Sequence, residues 1–403
     1  GQWPAAVETY RALATLRPDD LDVGLRLAEA QREAGDPTAA LATIATLREL
    51  PPPAGADPRL DLAAADAYAG LGQHAERLEA ALAAGRRARE LGATVMLADA
   101  RLKEGAARRR VGERELAPAA LEESRRLYLQ AGDRVSAANV LIELAGLRRQ
   151  EGDLPGAAML FREALATYDL AGNRRRAARA RFSLSLLLAD AGRIEEAEAG
   201  YREALAVFRE AGDRQAAVAT LANIGTMRFF RGDLAAAIAH HEEALGLARE
   251  IGNRSRELVS LLNLAEAHLE AGDPAAARSE AVAAIALAEA GGDRQAEGRG
   301  RWGLCGIEIA AAAWEAAATE CERAHELLSA EQEVASVAGV EITLARLALA
   351  RDEVAAAVTR ARSALARLAE SEYAGDAAFA AATLAEALVA RGETDEAART
   401  LAE

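Results

Sequence analysis

The run Gly298-Arg299-Gly300-Arg301-Trp302-Gly303 has the glycine spacing of a dinucleotide fingerprint. In that role the glycines follow a strand, open a helix and let backbone N–H groups face a pyrophosphate. Here helix-forming residues flank the run on both sides and no strand-like segment precedes it, so it reads as helix interior. Gly298, Gly300, Gly303 and Gly306 then cost about 1 kcal/mol each relative to alanine. The five histidines are His74, His240, His241, His268 and His325. None has a carboxylate or cysteine at zinc-ligand spacing, and no metal site is expected. No Ser/His/Asp set, phosphate loop or carboxylate dyad stands out, so the chain is expected to be neither an enzyme nor a cofactor carrier. Cys305 and Cys321 read as buried structural thiols in preference to a redox pair. Asn253-Arg254-Ser255 has the letters of a glycosylation sequon but falls in a turn.

These residues sit in a periodic sequence, and internal repeats decide the fold. Gly72, Gly112, Gly152, Gly192, Gly232 and Gly272 are forty residues apart, with Ala312, Asp352 and Gly392 continuing the column. A second column, offset by twenty, runs Gly92, Gly132, Gly172, Gly212, Gly252 and Gly292. Alanine holds every position of the column from Ala117 to Ala397, and a second alanine column runs from Ala164 to Ala364. A leucine column (Leu144, Leu184, Ile224, Leu264, Leu304, Leu344, Leu384) is followed at each step by a small residue. Between the glycines lie helix formers with i, i+3, i+4 apolar spacing. Each glycine suits the left-handed residue that ends a helix, and the Asp or Asn after it suits the next N-cap. The unit is therefore helix A, turn, helix B, turn. One such hairpin cannot bury its apolar face alone, so neighbours must stack. His241 falls in the column of Phe161 and Tyr201 and reads as a packing residue. The repeat containing the four helix glycines also lacks its turn glycine at Ala312, which marks it as the softest of the array.

Composition agrees. The 403 residues are 51% hydrophobic but only 4% aromatic, which favours closely packed helices over sheets. No apolar stretch is long enough to cross a bilayer, and the start does not read as a signal peptide. A net charge of −15 argues against a general nucleic-acid binder. Two cysteines are too few for a disulfide framework, which makes a reducing, cytoplasmic setting the default. Only one of the 48 basic residues is lysine, Lys103.

Leu264-Ala265, the turn Gly272-Asp273, then Ala277 and Ala284 follow the order of small residues that marks the tetratricopeptide repeat (TPR), and the chain resembles that family over essentially its whole length. The opening, closed by Arg17-Pro18-Asp19-Asp20, resembles helix B of an ordinary shorter repeat. From about residue 93 the longer form is similar to repeats of kinesin light chain, of animal spindle-orientation scaffolds and of some bacterial transcription regulators. The nearest likeness is to TPR regions that follow a kinase or winged-helix module in bacterial signalling proteins.

The resemblance implies an all-α fold, an α-solenoid in which antiparallel helix hairpins wind as a right-handed superhelix. One solenoid is expected over 1–403. It comprises an orphan helix B at 1–18, two repeats at 19–92 with a proline-rich loop at 51–58, regular forty-residue repeats over 93–332, and degenerate, truncated repeats at 333–403. Both ends fall inside the pattern, as expected of an excerpt from a longer polypeptide.

In the family, helix A residues line a concave face that grips peptides or partner helices. Carried over by position, that groove includes Asn223 and Asn263, with Glu143 and Ser183 in their column in two earlier repeats. Arg108, Arg148 and Arg228 share one column and Arg109 and Arg149 the next, beside Phe229 and Phe230. Arg174, Arg175 and Arg176 open a helix whose N-terminus is already electropositive, so an anion there would relieve the charge. These arginines form either an acidic-ligand groove or a solvated face in an arginine-biased chain. The implied function is a non-catalytic, ligand-sensing or protein-interaction scaffold in a bacterial signalling protein, with a protein or peptide partner, acidic in character. The alternative is a spacer or autoinhibitory module packing on an upstream effector domain (kinase, winged-helix or ATPase).

Overall fold

The periodic segments all fold as helices. The computed structural model describes residues 2–369 and 374–402, and no strand occurs among them. The chain divides into two compact units, Gly1–Val207 and Phe208–Glu403. The first opens with α1 (Gln2–Leu16) and continues as hairpins: α2 (Leu21–Glu33) with α3 (Pro37–Arg48), α4 (Pro58–Gly70) with α5 (His74–Glu90), and α6 (Thr94–Val111) with α7 (Ala117–Gln130). Then come α8 (Arg134–Gln150) with α9 (Leu154–Leu170), and α10 (Arg174–Asp190) with α11 (Ile194–Glu210), in which the division falls. The second holds α12 (Arg214–Phe230) with α13 (Leu234–Glu250), α14 (Arg254–Glu270) with α15 (Pro274–Gly291), and α16 (Arg294–Ala310) with α17 (Trp314–Ala330). It ends in α18 (Val334–Ala350) with α19 (Val354–Leu368), and α20 (Ala374–Arg391) with α21 (Thr394–Ala402).

The punctuation works as its chemistry requires. From Gly72 to Gly292 the turn glycines of both columns hold φ between 65° and 90°. The backbone closes over each, as where Asp153 N–H donates to the Arg148 carbonyl at 2.9 Å. The following carboxylate caps the next helix: Asp153 accepts from Gly156 N–H at 2.9 Å and Asp273 from Ala276 N–H at 3.0 Å. Where the columns lose glycine the turn keeps its shape, and Ala312, Gln332 and Asp352 are the three non-glycine residues with positive φ among those described, at 55°, 58° and 62°. The helices that follow them, α17, α18 and α19, also lack a side-chain cap. Backbone strain therefore gathers in the second unit.

The alanine columns form the seams. Ala117, Ala157, Ala197, Ala237, Ala277, Ala317 and Ala357 are fully buried. The small-residue column on helix A meets a residue sixteen positions later on helix B. A Cβ added to Gly105 would come within 2.5 Å of Leu121, and one on Gly225 within 2.7 Å of the His241 ring. Within each unit successive A helices also touch (α4 with α6, α6 with α8, α12 with α14, α14 with α16), whereas B helices meet their successors weakly or not at all. Within each unit the A helices thus pack more closely on one another than the B helices do. The proline-rich loop forms a single 3₁₀ turn at Ala54–Ala56, and α2 still touches α4 across it, helped by Arg59, which bridges Asp57 at 2.9 Å and Asp22 at 2.6 Å.

Candidate functional site

The arginines singled out from the first unit fall into two classes. Arg108 is mostly buried, with Nε 2.9 Å from Glu104 and a second partner in Glu113. Arg109 reaches from α6 to α8 and meets Glu143 at 3.0 Å, its guanidinium lying over Gly146. Glu143, which stands in the asparagine column, is therefore the counter-ion of Arg109. Arg148 and Arg149 are more open, with looser partners in Glu151 at 3.6 Å and Asp190 at 3.4 Å. The split runs between repeats and not between columns: Arg108 and Arg109 are engaged at close range, whereas Arg148 and Arg149, one repeat on, face water.

Arg174, Arg175 and Arg176 are exposed at the start of α10, where Asn173 caps the helix by accepting from Arg176 N–H at 3.2 Å. Arg174 and Arg175 have partners within the protein. Burial opposes ionisation of Asp133, yet hydrogen bonds from Ser136 and the charge of Arg176 hold its carboxyl below the usual range. Intramolecular carboxylates thus already offset part of this run.

In the second unit Asn223 and Asn263 are half-buried on α12 and α14, two A helices in contact. Arg228 folds back onto Asp233, the cap of α13, at 2.9 Å. Phe229 and Phe230 meet edge-on, with ring centroids 5.6 Å apart and planes at 76°. Phe230 is 81% exposed. Among the described residues no group of three or more His, Cys, Asp or Glu could hold a metal ion.

Residues 175–403 match the family described as the MalT-like TPR region, and residues 136–210 match a tetratricopeptide repeat family. The chain belongs to the MalT-like TPR family. No curated protein is similar enough to count as a match. Among solved structures, aspartyl phosphate phosphatase F from Bacillus subtilis is 12% identical with a TM-score of 0.56, over 87% of this chain and 94% of that one. A Rap protein complexed with competence and sporulation factor is 15% identical at 0.55, over 94% and 99%. A STAND signal-transduction ATPase with a tetratricopeptide repeat sensor, from Pyrococcus horikoshii, is 18% identical at 0.56, over 81% of this chain and 51% of that one. At these identities the likeness concerns the fold.

The TPR pattern hid three features. Cys305 and Cys321 are not separate thiols: they form a disulfide with Cα atoms 5.3 Å apart. This corrects the expectation, and it removes the cysteine argument for a reducing compartment. The geometry follows from the seam, since 305 and 321 stand sixteen apart in the columns that pair Gly225 with His241. In four of the other repeats a small residue faces a bulky one there (Gly105 with Leu121, Ala145 with Phe161, Ser185 with Tyr201, Gly225 with His241), whereas a cysteine in both columns signals a different contact. The second feature is Lys103, buried between Asp66 at 2.5 Å and Asp99 at 3.4 Å, which couples α4 to α6. Burial raises the Asp99 carboxyl above its usual range, Lys103 opposing. The third is a cavity on the A helices of α16, α18 and α20.

Among the helix glycines, Gly298 and Gly300 are close contacts, their missing Cβ atoms filled by Leu328 and Ile285, while Gly303 and Gly306 face open space. No nucleotide cradle forms, because the segment is the interior of α16.

Proposed function

We propose that this TPR chain is a non-catalytic interaction and sensing region of a larger bacterial signalling or regulatory protein, holding a peptide or partner segment on its A helices. The observation that carries the reading is Phe230, a large aromatic left 81% exposed on an A helix and braced by Phe229. A rigid aromatic in that setting is a hot-spot anchor, since it loses little entropy on burial. In the first unit Arg148 and Arg149 are the arginines able to exchange their loose intramolecular carboxylates for those of an acidic partner. Arg109 ties α6 to α8, and Arg108 is taken up by Glu104 and Glu113 beside it. Attachment to an effector domain is supported by the likeness to the Pyrococcus protein, in which a tetratricopeptide sensor belongs to an ATPase.

The test uses peptides selected by display on the purified chain. Binders should lose affinity by tenfold or more for Phe229→Ala/Phe230→Ala. Acidic binders should lose a similar factor for Arg148→Glu/Arg149→Glu, with the helical circular dichroism of both variants unchanged. Selected peptides that bind both double variants as tightly as the parent would overturn the reading.

A further inference from the structure

The cavity on α16, α18 and α20 has a volume of about 170 Å³ and lies wholly within the second unit. One wall is the ring of Trp302. It lies against Gly339, where any Cβ would drive into the indole, and donates its Nε1–H to the Thr343 hydroxyl at 2.9 Å. That hydroxyl donates onward to the Gly339 carbonyl at 2.9 Å. The indole is thus locked, its one polar atom is satisfied, and it offers the cavity a flat apolar face. Buried Ile342 and Phe379, the latter 54% exposed, add further apolar lining. Two charges stand at the mouth, Arg346 and Asp376. Both are exposed, they do not pair with each other, and neither has an ion-pair partner among the described residues.

We propose that this cavity is a small-molecule site for a free amino acid with an aromatic or branched aliphatic side chain. An apolar cavity of roughly 150 Å³ accommodates a group the size of benzene. The space therefore suits one side chain and not a run of peptide. The Arg346 guanidinium can accept a carboxylate in fork geometry, and Asp376 can accept hydrogen bonds from an ammonium. A positive and a negative group, unpaired beside one apolar cavity, match the two charges that an amino acid carries on a single carbon. Ligands with one net charge would satisfy only half of the mouth. The mid-helix glycine supports a built site, because glycine is disfavoured in a helix interior and its missing Cβ is what seats the indole.

This inference is independent of the peptide reading and is tested on the whole chain by calorimetry and thermal shift. L-phenylalanine, L-leucine and L-tryptophan are the probes. Their controls are N-acetyl-phenylalanine amide, phenylethylamine and phenylpropanoate, which lack both charges or one. At least one amino acid should bind, and every control should bind at least about tenfold more weakly than phenylalanine or leucine. Arg346→Gln and Asp376→Asn, both at exposed positions, should each weaken binding by a similar factor without changing the circular dichroism, and Phe379→Ala should do the same. Absence of binding by all three amino acids at millimolar concentration would overturn the proposal. So would equal binding of the acetylated amide, or unchanged affinity in both charge variants.

Discussion

Replacing His241 with phenylalanine isolates what it costs to bury an imidazole in the seam between α12 and α13. The ring is 1% exposed and fills the space that Gly225 leaves open, and its Nδ1 has no hydrogen-bond partner. Burial, with a smaller push from His240, lowers its pKa from 6.5 to about 4. The fold therefore holds the neutral ring. Above pH 6.5 neither state is protonated and the stability of this site is fully present. Between pH 6.5 and about 4 the unfolded chain takes up a proton that the folded chain refuses, so stability falls as pH falls. At 1.36 kcal/mol per unit, a window of about two and a half units amounts to about 3 kcal/mol lost by pH 4. Phenylalanine has no such proton, and Phe161 and Tyr201 already occupy the equivalent position against Ala145 and Ser185. Its substitution also removes a buried unsatisfied nitrogen, a penalty of about 1–3 kcal/mol. Urea unfolding of parent and variant at pH 7, 5.5 and 4, at fixed ionic strength, measures the difference, in which the shared carboxylates cancel. The variant should be at least as stable at pH 7, and its advantage should widen by about 3 kcal/mol toward pH 4. An advantage that stays constant with pH would refute the claim that the fold excludes the protonated ring.

Other perturbations probe the turns and seams. Ala312→Gly and Gln332→Gly should each stabilise the second unit by about 0.5–1 kcal/mol, the left-handed strain relieved less the entropy glycine adds to the unfolded chain. Asp352→Gly should gain less, since aspartate tolerates that region better; denaturation midpoints give the order. Gly303→Ala and Gly306→Ala should gain about 1 kcal/mol each, because nothing lies within 4 Å of the added methyl. Gly298→Ala should instead destabilise, its Cβ falling 2.8 Å from Leu328, so three changes of like sign would contradict the packing. Ala237→Leu should overpack a fully buried seam and cost about 1–3 kcal/mol by the same assay. Reducing the Cys305–Cys321 bridge, which closes a loop with a separation of 16 residues, should lower the stability of the second unit by about 3 kcal/mol, read as a shift in its unfolding midpoint with and without a phosphine reductant.

Most of the fold was legible because a forty-residue repeat prints the same steric demand many times over. A left-handed turn admits glycine most easily, and a seam where two helix axes close up admits little beyond alanine. Ala157, Ala197 and Ala237 therefore name their environment before any coordinates do. The arginines were harder to read because a column records what one position shares with its equivalents, while charge is settled between columns. Arg109 and Arg149 share a column, yet Glu143 on the next A helix neutralises the first closely, and Asp190 holds the second at greater distance. The disulfide and the Trp302 cavity escaped for the same reason. Cys305 looks ordinary among Ala265 and Ala345, and Gly339 looks like one more small residue, until each is set against its facing partner, Cys321 or Trp302. The volumes of facing pairs carry this information: glycine opposite histidine and glycine opposite leucine keep the seam full, whereas cysteine opposite cysteine keeps it full only as a bond. In a repeat protein the periodic residues report the scaffold. The specific chemistry lies where two facing positions depart together, as Cys305 with Cys321 and Trp302 with Gly339 do.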